Sequence, residues 1–343
     1  MDDLRYNLPV LLLHNLNPEW TSEEISEVEG EVATLGSALS DLGHPVEVVA
    51  LEDECLIQRL QEFDPSNHIV FNWCEEIPGI PRSEPQVAAV MERMGFVFTG
   101  SPFEVLARSY DKPQVKRLLD AANVPTPPWE VFSTPDVGQW NIFPSIVKLA
   151  HEHCSIGIVS ESVVTSPAEL ENRIAFILDE YKQPALVEEF INGREFLSAV
   201  WGNGKIFMLP AVEMDYGELT DVHDRLFTYE AKYVSGTRLY DSINMRIPAK
   251  LDPEEQSELE QVALAAYRAT GCRDYGRIDA RYHNGIFYVI DVNPNPDINP
   301  LTSMTCAAAE AGYSYGKMGS RIVNLAAARH PVFRTQNKSA CFK

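Results

Sequence analysis

Chemistry-bearing side chains concentrate between Asp274 and Asn293. There Asp274-Tyr-Gly-Arg-Ile-Asp-Ala-Arg-Tyr282 is followed by His283-Asn-Gly285 and Ile286-Phe-Tyr-Val-Ile-Asp-Val-Asn293. Two alternating runs around Asn-Gly predict a hairpin. Because side chains alternate along a strand, Arg277, Asp279 and Arg281 share one face and Ile278, Ala280 and Tyr282 the other. Phe287, Val289, Asp291 and Asn293 likewise share a face of the second strand. A two-residue Asn284-Gly285 turn would pair Tyr282 with Phe287 and separate Asp279 from Asp291 across the sheet. The register predicted is instead a three-residue loop, His283 to Gly285, with Gly285 left-handed. It pairs Tyr282 with Ile286 and Arg277 with Asp291, so that the polar residues meet. Two carboxylates and an amide oxygen on one face suit Mg²⁺, a hard cation held by one or two carboxylates together with phosphate oxygens. Taken alone, the pattern describes a solvated acidic face equally well.

The elements that must carry this hairpin are legible from periodicity. Pro9 to His14, Val46 to Leu51 and His68 to Trp73 read as apolar strands. Helices are predicted from Thr21-Ser-Glu-Glu24, a capping box, to about Leu42, from Glu54 to Phe63, and from Glu84 to Met94. Such alternation implies a parallel, doubly wound α/β sheet. Asn123-Val-Pro-Thr-Pro-Pro128 is a stiff joint. After it come strands at Ser145 to Leu149 and Ala185 to Glu189, and helices opening at Ser166-Pro-Ala-Glu169 and Asp252-Pro-Glu-Glu255, the latter running to about Thr270. Residues 331–343 lack apolar periodicity and are predicted to fray as a disordered tail.

Composition removes several function classes. Fifty acidic against 28 basic residues give a formal charge of -22, which repels nucleic acid and anionic membranes. No apolar run approaches the ~20 residues of a membrane span and the start is acidic, so a cytoplasmic location is expected. The six cysteines form no CxxC pair, and His151-Glu-His-Cys154 is a poor metal cluster because adjacent ligands on a loop rarely converge. GxGxxG is absent from the first domain, and Gly312 to Met318 has the wrong spacing for a phosphate-binding Walker loop.

Gly276-Arg-Ile-Asp279 followed by Asp291-Val-Asn-Pro-Asn-Pro296 resembles the metal-binding core of ATP-grasp enzymes, and the order of segments from Pro9 to Ala328 is similar to D-alanine:D-alanine ligases. The resemblance implies an α/β ATP-grasp fold with a Rossmann-like substrate domain (1–108), a central subdomain (109–192) and a C-terminal subdomain carrying the metal site (193–330). It implies an ATP-dependent ligase that joins a carboxylate to an amine through an acyl phosphate. Lys112, after Ser109-Tyr-Asp111, and Lys148, in Pro144-Ser-Ile-Val-Lys148, would meet ATP phosphates, and His151 to Gly157 would close over them. Glu188 would receive the adenine amino group, Glu189 and Ile191 would offer backbone contacts, and Glu195 would bind ribose. Asp279, Asp291 and Asn293 would hold two Mg²⁺ ions, with Mn²⁺ as a substitute. Arg277 would stabilise the developing oxyanion. Ser155, with Lys232 and Tyr233 in the mobile-loop segment Phe227 to Tyr233, completes the catalytic set. Small amino-acid or amine substrates and a homodimer are the partners implied.

The substrate pockets depart from the family. Cys154 replaces the first of two loop serines, and the glycine-rich opening after His14 is absent. The glutamate for the first substrate's amino group has only approximate counterparts in Glu24 and Glu27. Asp297 stands at a backbone glycine position, and Asp291 stands where the ligases use glutamate. Such changes redirect specificity. A non-catalytic ATP-binding module is the competing reading, and Arg277 argues against it because binding alone needs no oxyanion arginine.

Overall fold

The computed structural model describes residues 4–153, 155–217, 219–226, 238 and 242–334, and the predicted α/β alternation becomes three sheets. The first contains β1 (Val10–Asn15), β2 (Val46–Leu51), β3 (Ile69–Trp73) and β4 (Val97–Phe98), all parallel in the order β2-β1-β3-β4. β1 is buried along its length because helices cover both faces. Val10 and Leu12 pack with Leu35 and Leu39 of α1 (Ser22–Asp41). Leu11 and Leu13 pack with Leu56 of α2 (Leu56–Leu60) and Val87 of α3 (Glu84–Met94). The capping box forms as predicted, with Thr21 N donating to Glu24 Oε2 at 2.7 Å and Glu24 N to Thr21 Oγ1 at 3.2 Å. The helix expected over Glu54 to Phe63 is only the five residues of α2, since Cys55 supplies no side-chain cap and Asp64-Pro65 lies just beyond.

After α4 (Phe103–Ser109) and α5 (Lys112–Ala121), the second sheet holds β5 (Trp129–Phe132), β6 (Ser145–Leu149), β7 (Val163–Val164) and β8 (Ala185–Glu189), antiparallel in the order β5-β8-β6-β7. Across it lies α6 (Pro167–Glu180), capped by Ser166, with Leu170, Ile174 and Ile177 packed on Val147, Leu149 and Val187.

The third sheet comprises β9 (Arg194–Asn203), β10 (Lys205–Met208), β11 (Val212–Asp215), β12 (Asn244–Arg246), β13 (Asp274–His283) and β14 (Ile286–Asn293). Its order is β12-β11-β9-β13-β14, with β10 also on β9. The capped helix α7 (Pro253–Thr270) packs behind it, followed by α8 (Ser303–Glu310) and α9 (Tyr315–Ala327). α9 returns to the first sheet, where Ile322, Val323 and Ala326 share one core with Leu12, Ile69 and Phe71. Asp274, fully buried, reinforces this junction by accepting Gly100 N at 2.9 Å and Arg329 Nη2 at 2.8 Å. The third segment therefore packs against the first.

Candidate active site

The hairpin closes by a two-residue turn, not the three-residue loop predicted. Asn284 (φ 50°) and Gly285 (φ 82°) are both left-handed, as a type I′ turn requires, and Tyr282 pairs with Phe287. Gly285 does have the positive φ expected. The offset that brings the acids together arises farther along, where the ladder steps from Ala280–Val289 to Asp279–Asp291 and leaves Ile290 as a bulge. Beyond it Asp279 faces Asp291 and Arg277 faces Asn293, in place of the predicted Arg277–Asp291 pair. Directly opposed residues share a face, so the four side chains form a two-by-two block backed by buried Ile278, Ala280 and Val292.

Arg277 grips Asp279 through Nε–Oδ1 at 2.7 Å and Nη2–Oδ2 at 2.9 Å. Burial still leaves the Asp279 carboxyl above its ordinary value, because Asp291 and Glu195 add repulsion against the arginine. Burial pushes Asp291 the same way, but Lys112, His153, Lys148 and Arg277 outweigh it and hold the group at about 2. Asp279, Asp291 and the Asn293 amide are hard oxygen donors on one face. Among the described residues no group of three or more His, Cys, Asp or Glu could hold a metal ion alone. That donor set fits Mg²⁺ whose remaining ligands are phosphate oxygens and water.

The two lysines expected to meet phosphate lie beside this block. Lys148 donates to Glu188 Oε2 at 2.6 Å and to the carbonyl of bulged Ile290 at 3.3 Å. Lys112, the first residue of α5, donates to the Glu152 carbonyl in the His151–Gly157 loop, where Ser155 is left-handed at φ 60°. Sequence reasoning missed Lys116, which is 4% exposed and lies 2.8 Å from Glu188 Oε1. Its signal was the four-residue spacing from Lys112 on one helix. Glu188 is 1% exposed between the two ammoniums, and although burial opposes ionisation, Lys116 and Lys148 hold it below the usual range.

On the proposed adenine strand, Glu189 N donates to Pro128 O at 2.9 Å. The Ile191 carbonyl accepts Arg281 Nη1 at 3.0 Å and Gly193 N at 2.9 Å, so the contact left to this residue is its N–H. Glu195 is buried against Arg281, with Nη2–Oε2 at 2.6 Å, and also accepts the Tyr216 hydroxyl at 2.5 Å. The sequence alone assigns no role to Arg281 or Tyr216.

Glu24 is engaged in its capping box and Glu27 is exposed. The α1 acid that interacts with Asp297 is Glu31, raised by burial and by that charge. Burial also raises Asp297, against the pull of Asn299 N at 2.9 Å and the charge of Arg277. Cys154, Lys232 and Tyr233 lie outside the described residues.

Known proteins resemble this chain in sequence and in fold. Residues 118–324 match the family model described as D-ala D-ala ligase C-terminus. The chain is 33% identical to the uncharacterized protein y4sG of Sinorhizobium fredii, over 88% of this chain and 89% of that one. It is 30% identical to a D-alanine–D-alanine ligase of Moorella thermoacetica, over 89% and 96% respectively. The ATP complex of D-alanine–D-alanine ligase from Bacillus anthracis has the same fold, with a TM-score of 0.70 at 18% identity over 96% of this chain and 99% of that one. Among the described residues no helix is long and apolar enough to cross a membrane. The chain belongs to the D-alanine–D-alanine ligase family of ATP-grasp enzymes, and it is an ATP-dependent carboxylate–amine ligase rather than a binding module.

Proposed function

We propose that this ligase activates the carboxylate of an amino acid and joins it to a neutral or cationic amine in preference to D-alanine. The observation that carries this reading is Asp297, whose carboxylate lies within electrostatic reach of Arg277, Glu31 and Glu75. With three carboxyl groups there against one guanidinium, an acceptor carboxylate entering that region meets net repulsion, whereas an amine meets net attraction. In a water-poor site such repulsion weakens binding by about 1 kcal/mol or more.

Asp279, Asp291 and Asn293 are the proposed metal ligands, for two Mg²⁺ ions or Mn²⁺ in their place. When bound, the ions neutralise the triphosphate and align its terminal phosphoryl group. Lys112 and Lys148 position the phosphates, Glu188, Glu189, Ile191 and Glu195 bind the nucleoside, and Ser155, Lys232 and Tyr233 cover the reacting groups. Arg277 then stabilises negative charge on the carbonyl oxygen as the amine attacks the acyl phosphate and phosphate departs. Domain limits at 108 and 192, a homodimer and a cytoplasmic setting belong to the same reading, supported by the family resemblance.

The test compares phosphate release with D-alanine alone against a panel of L- and D-amino acids and amines at equal concentration. Preference for an uncharged or cationic acceptor is expected. Efficient, D-alanine-specific formation of D-alanyl-D-alanine would overturn the assignment.

A further inference from the structure

The segment after the proposed metal ligands makes a contact that the chemistry above does not use. Glu84, the first residue of α3, is 8% exposed. Its Oε1 accepts Asn295 Nδ2 at 2.7 Å, and the Tyr110 hydroxyl approaches Oε2 at 3.5 Å. The Asn295 amide is engaged at its other end too, since Tyr275 OH donates to Oδ1 at 2.6 Å. With Oδ1 accepting the phenol, the NH₂ of the amide is the end turned toward Glu84. The Asn295 backbone N–H in turn donates to Asn293 Oδ1 at 3.0 Å. An unbroken chain of bonds thus runs from the first sheet's helix layer to the Asn293 amide.

We propose that Glu84 is a positioning residue for the metal site, holding Asn295 so that the Asn293 amide oxygen is presented in one orientation. The inference rests on the reading of Asn293 as a metal ligand. It explains why a carboxylate is kept at a buried helix start, where burial pushes its carboxyl up to about 8 against the stabilising bond from Asn295. An outer partner that orients a ligand typically contributes ten- to a hundred-fold in metal affinity. In this arrangement Glu84 needs no contact with substrate. What matters is an acceptor oxygen at the right place, so glutamine should serve where alanine cannot.

The experiment uses the full chain with ADP and Mn²⁺ as the probe, reading bound ion by electron paramagnetic resonance and folding by thermal melting. Glu84→Ala and Asn295→Ala should each weaken Mn²⁺ binding about ten-fold. The double variant should be no worse than the weaker-binding single variant, because both cut the same chain. Glu84→Gln should restore binding to within about two-fold, since its amide oxygen still accepts Asn295 Nδ2. Should Glu84→Ala fail to fold, Asn295→Ala carries the same reading. Wild-type Mn²⁺ affinity in folded Glu84→Ala and Asn295→Ala, alongside lost binding in Asn293→Ala, overturns the positioning role while leaving the metal site intact. A lowered melting temperature without a change in Mn²⁺ affinity also overturns it, because that marks a structural staple. Strictly additive losses overturn the single-chain mechanism. Wild-type binding in Asn293→Ala overturns the metal-site reading and this inference together.

Discussion

The buried Lys116–Glu188–Lys148 triad allows a quantitative prediction. Glu188→Gln keeps the shape of the side chain but removes the negative charge from between two ammoniums that lie 2.8 Å and 2.6 Å from its oxygens. Lys116 is 4% exposed and has no water to turn to, keeping only Thr126 Oγ1 at 2.6 Å and the distant Val289 carbonyl. Breaking a buried pair by removing one partner typically costs about 3–5 kcal/mol, because the other charge stays buried without compensation. At roughly 2 °C per kcal/mol for a chain of this size, the melting temperature should fall by about 6–10 °C. Adding Lys116→Met removes the stranded charge at similar volume, and the double variant should regain at least half of the loss. Thermal and urea unfolding of wild type, each single variant and the double variant gives the coupling directly. A Glu188→Gln protein within about 1 kcal/mol of wild type, or no recovery in the double variant, would refute the view that charge compensation holds this site.

Other outcomes follow from the same geometry. Lys148→Ala and Asp279→Asn should each lower ATP turnover by at least about a hundred-fold while the protein stays folded, and phosphate release together with circular dichroism checks both. The Glu84 carboxyl is raised in the folded state to about 8, so its contribution to stability is complete below its unfolded value and is lost as pH rises towards 8. Unfolding free energy measured from pH 5 to 8 should therefore fall less steeply in Glu84→Gln than in wild type; equal slopes would exclude that titration. For Asp291, held at about 2, the sign is reversed: its stabilisation is present above the ordinary carboxylate range and is lost as pH falls towards 2. The Asp291→Asn protein should accordingly show a smaller loss of stability on acidification than wild type.

Long, strongly punctuated elements were readable from the sequence. Thr21 with Glu24, Ser166 with Pro167, and Asp252 with Glu255 each cap the helix expected of them, because capping is a local matter of a few side-chain and backbone bonds. The polar block of the hairpin was legible as a set of residues sharing a face but not as a register. Asn-Gly favours the two-residue turn that formed, and the bulge at Ile290 that restores the acids to one face has no local signature, since it is set by pairing with β13. Partners distant in sequence were likewise hidden. Arg281 and Glu195 are 86 positions apart and Asn295 and Glu84 are 211 apart, so only the folded sheets reveal that one residue satisfies the other. Glu24 is a converse case. Its sequence position suggested a substrate contact, while its three-residue spacing from Thr21 assigned it to the cap.

The most direct measurement of the central claim follows the oxygen atoms. A carboxylate substrate found in the amino-acid panel is labelled with heavy oxygen in its carboxyl group, supplied with ATP, Mg²⁺ and its amine, and the released phosphate is examined by mass spectrometry. Ligation through an acyl phosphate transfers one labelled oxygen to each phosphate for every amide formed. Unlabelled phosphate, or amide formation without matching phosphate release, would contradict the account.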